Sequence, residues 1–309
     1  MKIIYSIIAP IYNEIDNLPE LYRRVKEVMD SSGESWELVL VDDGSTDGST
    51  EKIRELAQKD KAVRPVIFAR NFGHQVAITA GWDYSRGDAI VIIDADLQDP
   101  PETILELAKK WKEGYEVVYA VRGEREGESW FKKFTAAMFY RLIYSITDVK
   151  IPVDTGDFRL MDRKVVNVLK QMKERHRFPR GMSAWVGFKQ IGVTYKRSAR
   201  VAGVTKYPFS KMLKLALNAI TGFSYFPLQV ATYFGFASAG VAILAIPVVI
   251  FMRMTGSGAF FGQATTLIAV LFLGGVQLIS LGILGEYVGR LYDEAKGRPL
   301  YIARDAPEE

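Results

Sequence analysis

The chain has 309 residues with 40 basic and 36 acidic side chains, 49% hydrophobic content and no cysteine. Disulfide scaffolds, thiolate metal sites and cysteine nucleophiles are thereby excluded, as is a wholly disordered chain, and a net charge of +4 makes no case for nucleic acid. Between Leu215 and Gly285 the only charged residue is Arg253, so a well-solvated globular part is joined to a segment unsuited to water.

The first apolar run, 3–9, follows Lys2 and superficially resembles a signal peptide. It is too short for a signal core and leads at once into Tyr12-Asn13-Glu14, so it reads as a buried strand. Runs at 37–41, 66–69, 89–93 and 116–121 share its Val/Ile-rich character without polar alternation, as expected of strands covered on both faces. Helical spacing lies between them, as in Leu18, Leu21, Tyr22, Val25 and Val28, or Ile104, Leu105, Ala108 and Trp111. Alternating strands and helices predict an α/β, doubly wound parallel sheet over about the first 120 residues, within an N-terminal domain spanning 1–207.

A second stripe, Phe131, Phe134, Met138, Phe139, Leu142 and Ile143, suits either a core helix or an interface helix over about 129–146. The stripe Phe209, Met212, Leu213, Ala216, Leu217 and Ile220 fits a juxtamembrane helix in the headgroup layer, within 208–227. Segments 228–252 and 265–284 lack charge and would extend about 38 and 30 Å as helices, enough to cross a hydrocarbon core of about 30 Å. They predict a transmembrane hairpin over 228–285, followed by a tail at 286–309. Lys206, Lys211 and Lys214 before it, and Arg290, Lys296, Arg298 and Arg304 after it, outnumber Arg253 between the spans. The positive-inside rule therefore puts the N-terminal domain and tail in the cytoplasm, on the inner (plasma) membrane.

Ligands of open parallel sheets bind beyond the carboxyl ends of the strands, and here those ends are acidic. No Gly-x-Gly-x-x-Gly follows the first strand and no Walker loop occurs, which argues against a dinucleotide fold or a P-loop ATPase. Asp94 and Asp96, two apart in extended chain, share one side, and with Gln98 they offer hard oxygen ligands suited to Mg²⁺ or Mn²⁺. Asp47 reads as a cap for a helix starting near Ser49. His74 reads as packing at a helix start rather than a general base, and His176 as part of a solvated basic run.

Pro10-Ile11-Tyr12-Asn13-Glu14, Asp42-Asp43-Gly44-Ser45-Thr46-Asp47, Arg70-Asn71-Phe72-Gly73, Asp94-Ala95-Asp96-Leu97-Gln98-Asp99-Pro100 and Thr155-Gly156-Asp157-Phe158-Arg159-Leu160 together resemble the inverting family 2 glycosyltransferases. Within that family the chain is similar to polyprenyl-phosphate sugar transferases of the bactoprenol glucosyltransferase and dolichyl-phosphate mannose synthase type. Gln-x-x-Arg-Trp of the processive synthases is absent, since Gln171 precedes Arg175 by four and no Trp follows. The resemblance implies a GT-A-like domain binding a nucleoside diphosphate sugar, with UDP-glucose favoured. Pro10, Tyr12, Glu14, Asp42, Asp43, Arg70 and Asp94 would line the donor, and Asp94, Asp96 and Gln98 would hold the divalent ion. Asp157 would lie near the acceptor as a positioning group, and Asp157, Asp96 and Arg122 would form the catalytic set. Arg122, Arg125, Lys132, Arg200 and Lys206, together with Lys133, would meet the phosphate of a polyprenyl (undecaprenyl) carrier in the bilayer. Arg200 to Tyr207 resembles the family's acceptor loop with Thr205 in place of Ser. The resemblance also implies a homo-oligomer, with a tetramer as the expected state. Two alternatives are transfer to a lipid alcohol, which needs a general base, and a non-catalytic nucleotide-binding membrane scaffold.

Overall fold

The computed structural model describes residues 2–123, 155–196, 224–255 and 263–307. The expected interface helix at 129–146, most of the juxtamembrane stretch, and Arg125, Lys132, Lys133, Arg200 and Lys206 lie outside these residues. The chain divides into two compact units, one containing the N-terminal α/β part with residues 298–307, the other the described residues from Ser224 to Gly297.

In the first unit β1 (Tyr5–Ile11), α1 (Leu18–Ser31), β2 (Trp36–Asp42), α2 (Ser49–Lys59), β3 (Val63–Phe68), α3 (His74–Tyr84), β4 (Ala89–Ile92), α4 (Thr103–Lys112) and β5 (Val117–Arg122) alternate as the periodicity predicts. They are followed by β6 (Thr155–Asp162), α5 (Arg163–Gln171), α6 (Pro179–Trp185), β7 (Gln190–Tyr195) and, after the second unit, β8 (Ala303–Asp305). β3 begins three residues before the apolar run at 66–69. Arg64 can enter the strand because it is buried against Glu37, at 3.3 Å, and donates to the Tyr84 carbonyl at 2.7 Å.

The sheet runs β7-β5-β6-β4-β1-β2-β3-β8. The strands of the first 120 residues, β1 to β5, all run in one direction as expected, but they are not all neighbours. β5 does not continue the parallel series beside β4, because β6 lies antiparallel between them, and β8 closes the other edge antiparallel to β3. The physical consequence is that the start of β6, rather than its end, reaches the edge where β1 to β5 finish.

Alternate residues of the strands feed two layers. Tyr5, Ile7, Ala9 and Ile11 of β1 join Leu38, Leu40, Val91 and Ile93 under Leu21, Val25, Ile53, Ile104 and Leu107 of α1, α2 and α4. On the other face α3 is apolar nearly all round, with Ala77, Ile78, Ala80 and Trp82 buried. Gly81 lets this helix lie directly on β1, since a Cβ there would stand 2.2 Å from Ile8 Cγ2.

The second unit contains α7 (Phe226–Met254) and α8 (Gln263–Ala295). Both are long and apolar enough to cross a membrane, over Phe226–Met252 and Ile268–Ala295, and neither span is buried within the chain. Tyr287 donates to the Ser224 carbonyl at 2.8 Å, tying α8 to the chain just before α7. α8 runs past the apolar stretch at 265–284, because Glu286, Arg290, Asp293 and Glu294 end hydrophobicity without ending helical propensity. Gly297, in the left-handed region at φ +57°, stops it, with its N–H on the Glu294 carbonyl at 3.1 Å.

Candidate active site

The strand order places β1 between β2 and β4, so successive connections leave in opposite directions and a crevice opens between the ends of β1 and β4. The β1–β4 ladder stops at Ile8 and Ile92. Pro10 therefore sits in a central strand without loss of a ladder bond, because its missing N–H would point toward the side that β4 has already vacated. Asp94 and Asp96 leave β4 on one wall, and Tyr12 and Glu14 leave β1 on the other. Tyr12 is exposed, and the Glu14 carboxylate accepts from Asn17 Nδ2 at 2.6 Å.

Antiparallel register carries Asp157 into this crevice. Ile92 pairs with Arg159, so two residues further along each strand Asp94 stands opposite Asp157. Four protein donors surround the Asp157 carboxylate: Arg180 Nε at 2.8 Å and Nη2 at 3.1 Å, Gln75 Nε2 at 3.3 Å and His74 Nε2 at 3.3 Å. Burial alone would raise its pKa, but Arg180 and His74 outweigh burial and hold it well below the usual carboxylate range. His74 responds in the opposite sense. Burial opposes its charge, yet the Asp157 and Asp94 carboxylates lift it to about 9, so it is an imidazolium at neutral pH. Beneath them the buried Arg159 donates to the Gly156 carbonyl at 2.9 Å and also to Ser183 Oγ, fixing the turn that presents Asp157.

Asp94 has no such retinue. Among the described residues its Oδ1 is buried without a hydrogen-bond partner, and His74 Nε2 is 3.6 Å away. Burial and the neighbouring Asp99, Asp157 and Asp96 push its pKa to about 6. Asp96 Oδ1 accepts from the Gln98 backbone at 3.1 Å. Between them Leu97 adopts φ +59°, a conformation costing about 1–2 kcal/mol for an L-residue, and this buries its side chain while Asp96 and Gln98 stay partly open. Among the described residues no three His, Cys, Asp or Glu side chains gather as a metal site. A buried, unpartnered carboxylate oxygen beside a second carboxylate nevertheless fits a hard divalent ion that draws most of its shell from water and substrate phosphates.

Asp42 and Asp43 are committed to the chain itself. Asp42 accepts from Ser45 N at 2.9 Å and Thr50 Oγ1 at 2.5 Å. Asp43 accepts from Phe72 N at 2.6 Å and from Gly73 N at 3.1 and 3.0 Å, clamping the Arg70–Gly73 loop onto the end of β2. Gly44 permits that contact. It has φ +71°, and a Cβ there would stand 2.5 Å from the Arg70 carbonyl carbon. Arg70 itself is exposed, with its guanidinium 4.1 Å from the centre of the Phe72 ring. The N-cap of α2 is Gly48 rather than Asp47, which stands one residue earlier and accepts from Ser49 N at 3.0 Å.

Arg122 ends β5 at the same edge, in register with Tyr195 of β7, and its Nε is buried without an acceptor among the described residues. The predicted residues Asp94, Asp96, Gln98, Asp157 and Arg122 thus share one edge of the sheet. Sequence reasoning missed Arg180 entirely and assigned His74 to packing. A buried strand-end carboxylate demands a cation, but nothing in the spacing of Phe178-Pro179-Arg180 says that α6 supplies it.

Residues 6–169 match the family described as Glycosyl transferase family 2. An uncharacterized glycosyltransferase YkcC of Bacillus subtilis is 54% identical, over 97% of this chain and 93% of its own length. The bactoprenol glucosyl transferase of Shigella phage SfV is 42% identical over the full length of both chains, and a prophage bactoprenol glucosyl transferase homolog of Escherichia coli is 43% identical over 98% of this chain and 99% of its own. A crystal structure of glucosyl-3-phosphoglycerate synthase from Mycobacterium tuberculosis, with Mn²⁺, UDP-glucose and phosphoglyceric acid, aligns at a TM-score of 0.48 and 19% identity, covering 71% of this chain and 77% of that one. The matched family spans the strands and loops that build the crevice, and the full-length relatives extend through both apolar helices: this chain belongs to glycosyl transferase family 2.

Proposed function

We propose that this glycosyltransferase moves glucose from UDP-glucose to the phosphate of a polyprenol such as undecaprenol, inverting the anomeric carbon, at the cytoplasmic face of the inner membrane. The observation that carries the reading is the pairing, at one sheet edge, of an acidic pocket around Asp94 and Asp96 with the cationic Arg122. An acidic pocket suits a metal-bridged diphosphate, and a cation suits an acceptor phosphate. The unburied apolar surface of α7 and α8 supports the bilayer as the place of the lipid, since soluble monomers rarely leave that much apolar surface uncovered. The full-length relatives named bactoprenol glucosyl transferases support glucose and the lipid carrier.

A bound Mg²⁺ or Mn²⁺ would supply Lewis-acid neutralisation of the departing diphosphate, with Asp94, Asp96 and Gln98 as its holders. Asp42, Asp43 and Gly44 shape the loops that flank the nucleoside, while Tyr12, Glu14 and Arg70 are available to touch it. Arg122, with Arg125, Lys132, Arg200 and Lys206, binds the acceptor phosphate. Asp157 positions hydroxyls and balances His74 and Arg180. Transfer to a lipid alcohol would need a general base, and a carboxylate held well below its ordinary pKa is a poor one. A phosphate monoester, with a second pKa of about 6, already presents an anionic oxygen at neutral pH.

Full-length protein in detergent is incubated with Mg²⁺, radiolabelled UDP-glucose and either undecaprenyl phosphate or undecaprenol, and the lipid is extracted. Label is expected in the organic phase with the phosphate acceptor and not with the alcohol. Label from another sugar nucleotide in place of UDP-glucose overturns the donor, and equal labelling of the alcohol overturns the acceptor.

A further inference from the structure

Asp99 belongs to the same acidic run as Asp94 and Asp96, and it is fully buried. It accepts a hydrogen bond from the Tyr195 hydroxyl, in a pair joining the loop after β4 to the last residue of β7. Tyr195 is buried too, its ring edge-on to Phe158 at 5.8 Å, and Phe158 lies between Asp157 and Arg159. On its other side Tyr195 meets Arg122. The two are register partners across the parallel β5–β7 ladder, and Gly123 N donates to the Tyr195 carbonyl at 3.0 Å. Arg122 acts on the Tyr195 hydroxyl, opposing the rise in its pKa, and its guanidinium reaches over the start of β6, where a Cβ on Gly156 would meet Nη2 at 3.0 Å. Burial and the Asp99 carboxylate push the Tyr195 phenol far up, so it stays protonated and donates to Asp99, leaving its oxygen lone pairs toward Arg122.

Resting on the reading of Arg122 as an acceptor-phosphate ligand, we infer that Tyr195 and Asp99 are positioning residues that hold the Arg122 guanidinium in its binding pose. They thereby fasten the acceptor end of the site to the loop carrying Asp94 and Asp96. A long side chain held in place before the ligand arrives loses less freedom on binding, and removing the restraint weakens binding by about three- to tenfold. The loss falls on the acceptor, since Arg122 is the group that the pair holds.

The test uses full-length protein in detergent, with separate KM values for UDP-glucose and undecaprenyl phosphate. Tyr195→Phe is expected to raise the acceptor KM about three- to tenfold and leave the donor KM within twofold. Asp99→Asn, whose amide oxygen can still accept from the phenol, should stay near wild type, whereas Asp99→Leu should behave like Tyr195→Phe. Arg122→Gln should raise the acceptor KM further, and adding Tyr195→Phe to it should change nothing more, because the two act through one group. If Arg122→Gln leaves the acceptor KM unchanged, the phosphate-binding reading itself fails. If Arg122→Gln raises it while Tyr195→Phe does not, or the two effects multiply, only the positioning inference fails. A rise in both KM values together with a lowered melting temperature in Asp99→Asn would mean that the pair merely supports the fold, and also overturns it.

Discussion

Replacing Asp157 with Asn keeps the shape and removes the charge on which four donors converge. Arg180 meets both carboxylate oxygens, at 2.8 and 3.1 Å, and His74 and Gln75 share Oδ2 at 3.3 Å. An amide presents one oxygen and one NH₂, so at least one charge-assisted bond, worth about 1.5–3 kcal/mol, must be lost. Removing one partner of a buried ion pair costs about 3–5 kcal/mol. If about 3–4 kcal/mol of this order is needed in the transition state, transfer slows about 10²- to 10³-fold. The assay is single-turnover transfer to undecaprenyl phosphate at pH 6 and pH 8, wild type against Asp157→Asn. The sign of the change with pH separates the two roles. In the wild type Asp157 is ionised throughout and His74, at about 9, is charged at both pH values. The variant removes the carboxylate that most supports the His74 proton, so His74 begins to lose it within this range. A positioning Asp157 therefore predicts a loss factor at pH 8 equal to or larger than that at pH 6. A loss that shrinks as pH rises would mean that solvent base replaces Asp157, and the positioning role would be refuted.

His74→Gln should show the matching stability effect. A folded-state pKa of about 9 against 6.5 gives a stabilisation fully present below about pH 6.5 and lost as pH rises through about 9. The ceiling of about 3.4 kcal/mol falls to about 1–2 kcal/mol after discounting for solvent around a ring that is one-third exposed. Thermal melts of wild type and variant in detergent should differ at pH 6 and converge above pH 9, and parallel curves would count against the imidazolium. Gly44→Ala places a methyl against the Arg70 backbone at positive φ, costing about 2–4 kcal/mol from strain and overpacking, and should raise the UDP-glucose Kd at least tenfold by calorimetry. Chelation with EDTA should abolish transfer and Mg²⁺ should restore it, with Asp96→Ala inactive but folded by circular dichroism. Undiminished transfer in chelator would remove the divalent ion from the proposal.

The strands that can be read from the sequence are those whose burial on both faces leaves a short apolar run, namely β1, β2, β4, β5 and the second half of β3. β6 was legible only as a motif. Asp157 and Arg159 interleave with Phe158 and Leu160, so it lacks a continuous apolar signature although every residue but its last is buried. Its insertion between β4 and β5 has no local signal at all, because strand order is decided by packing of segments distant in the chain. β8 is three residues long, and what fixes it is tertiary: Tyr301 stacks on Phe68 at 5.0 Å and donates to Asp83 at 2.9 Å. The acidic strand ends were legible because carboxylates following buried strands need a reason to be there. Their counter-ions were not, since Arg180 reaches Asp157 from a helix begun by Phe178-Pro179, a sequence that announces a helix start and nothing about charge.

Asp94 and Asp157 face each other across the β4–β6 ladder, and the contrast between them is the strongest physical statement the site makes. Two like charges at such proximity are tolerated only if their surroundings differ. Asp157 has its charge matched inside the protein by Arg180 and His74, and its pKa is driven down. Asp94 has one oxygen with no hydrogen-bond partner, shares His74 at the longer distance of 3.6 Å, and its pKa is driven up to about 6. A protein that needed both carboxylates for its fold would have supplied donors to both, because an orphaned buried acceptor costs about 1–3 kcal/mol. The unmatched one is where an incoming cation returns most, and for this reason the divalent-ion proposal falls on the Asp94 side of the crevice. By the same reasoning the matched one is poorly suited to take a proton during the reaction.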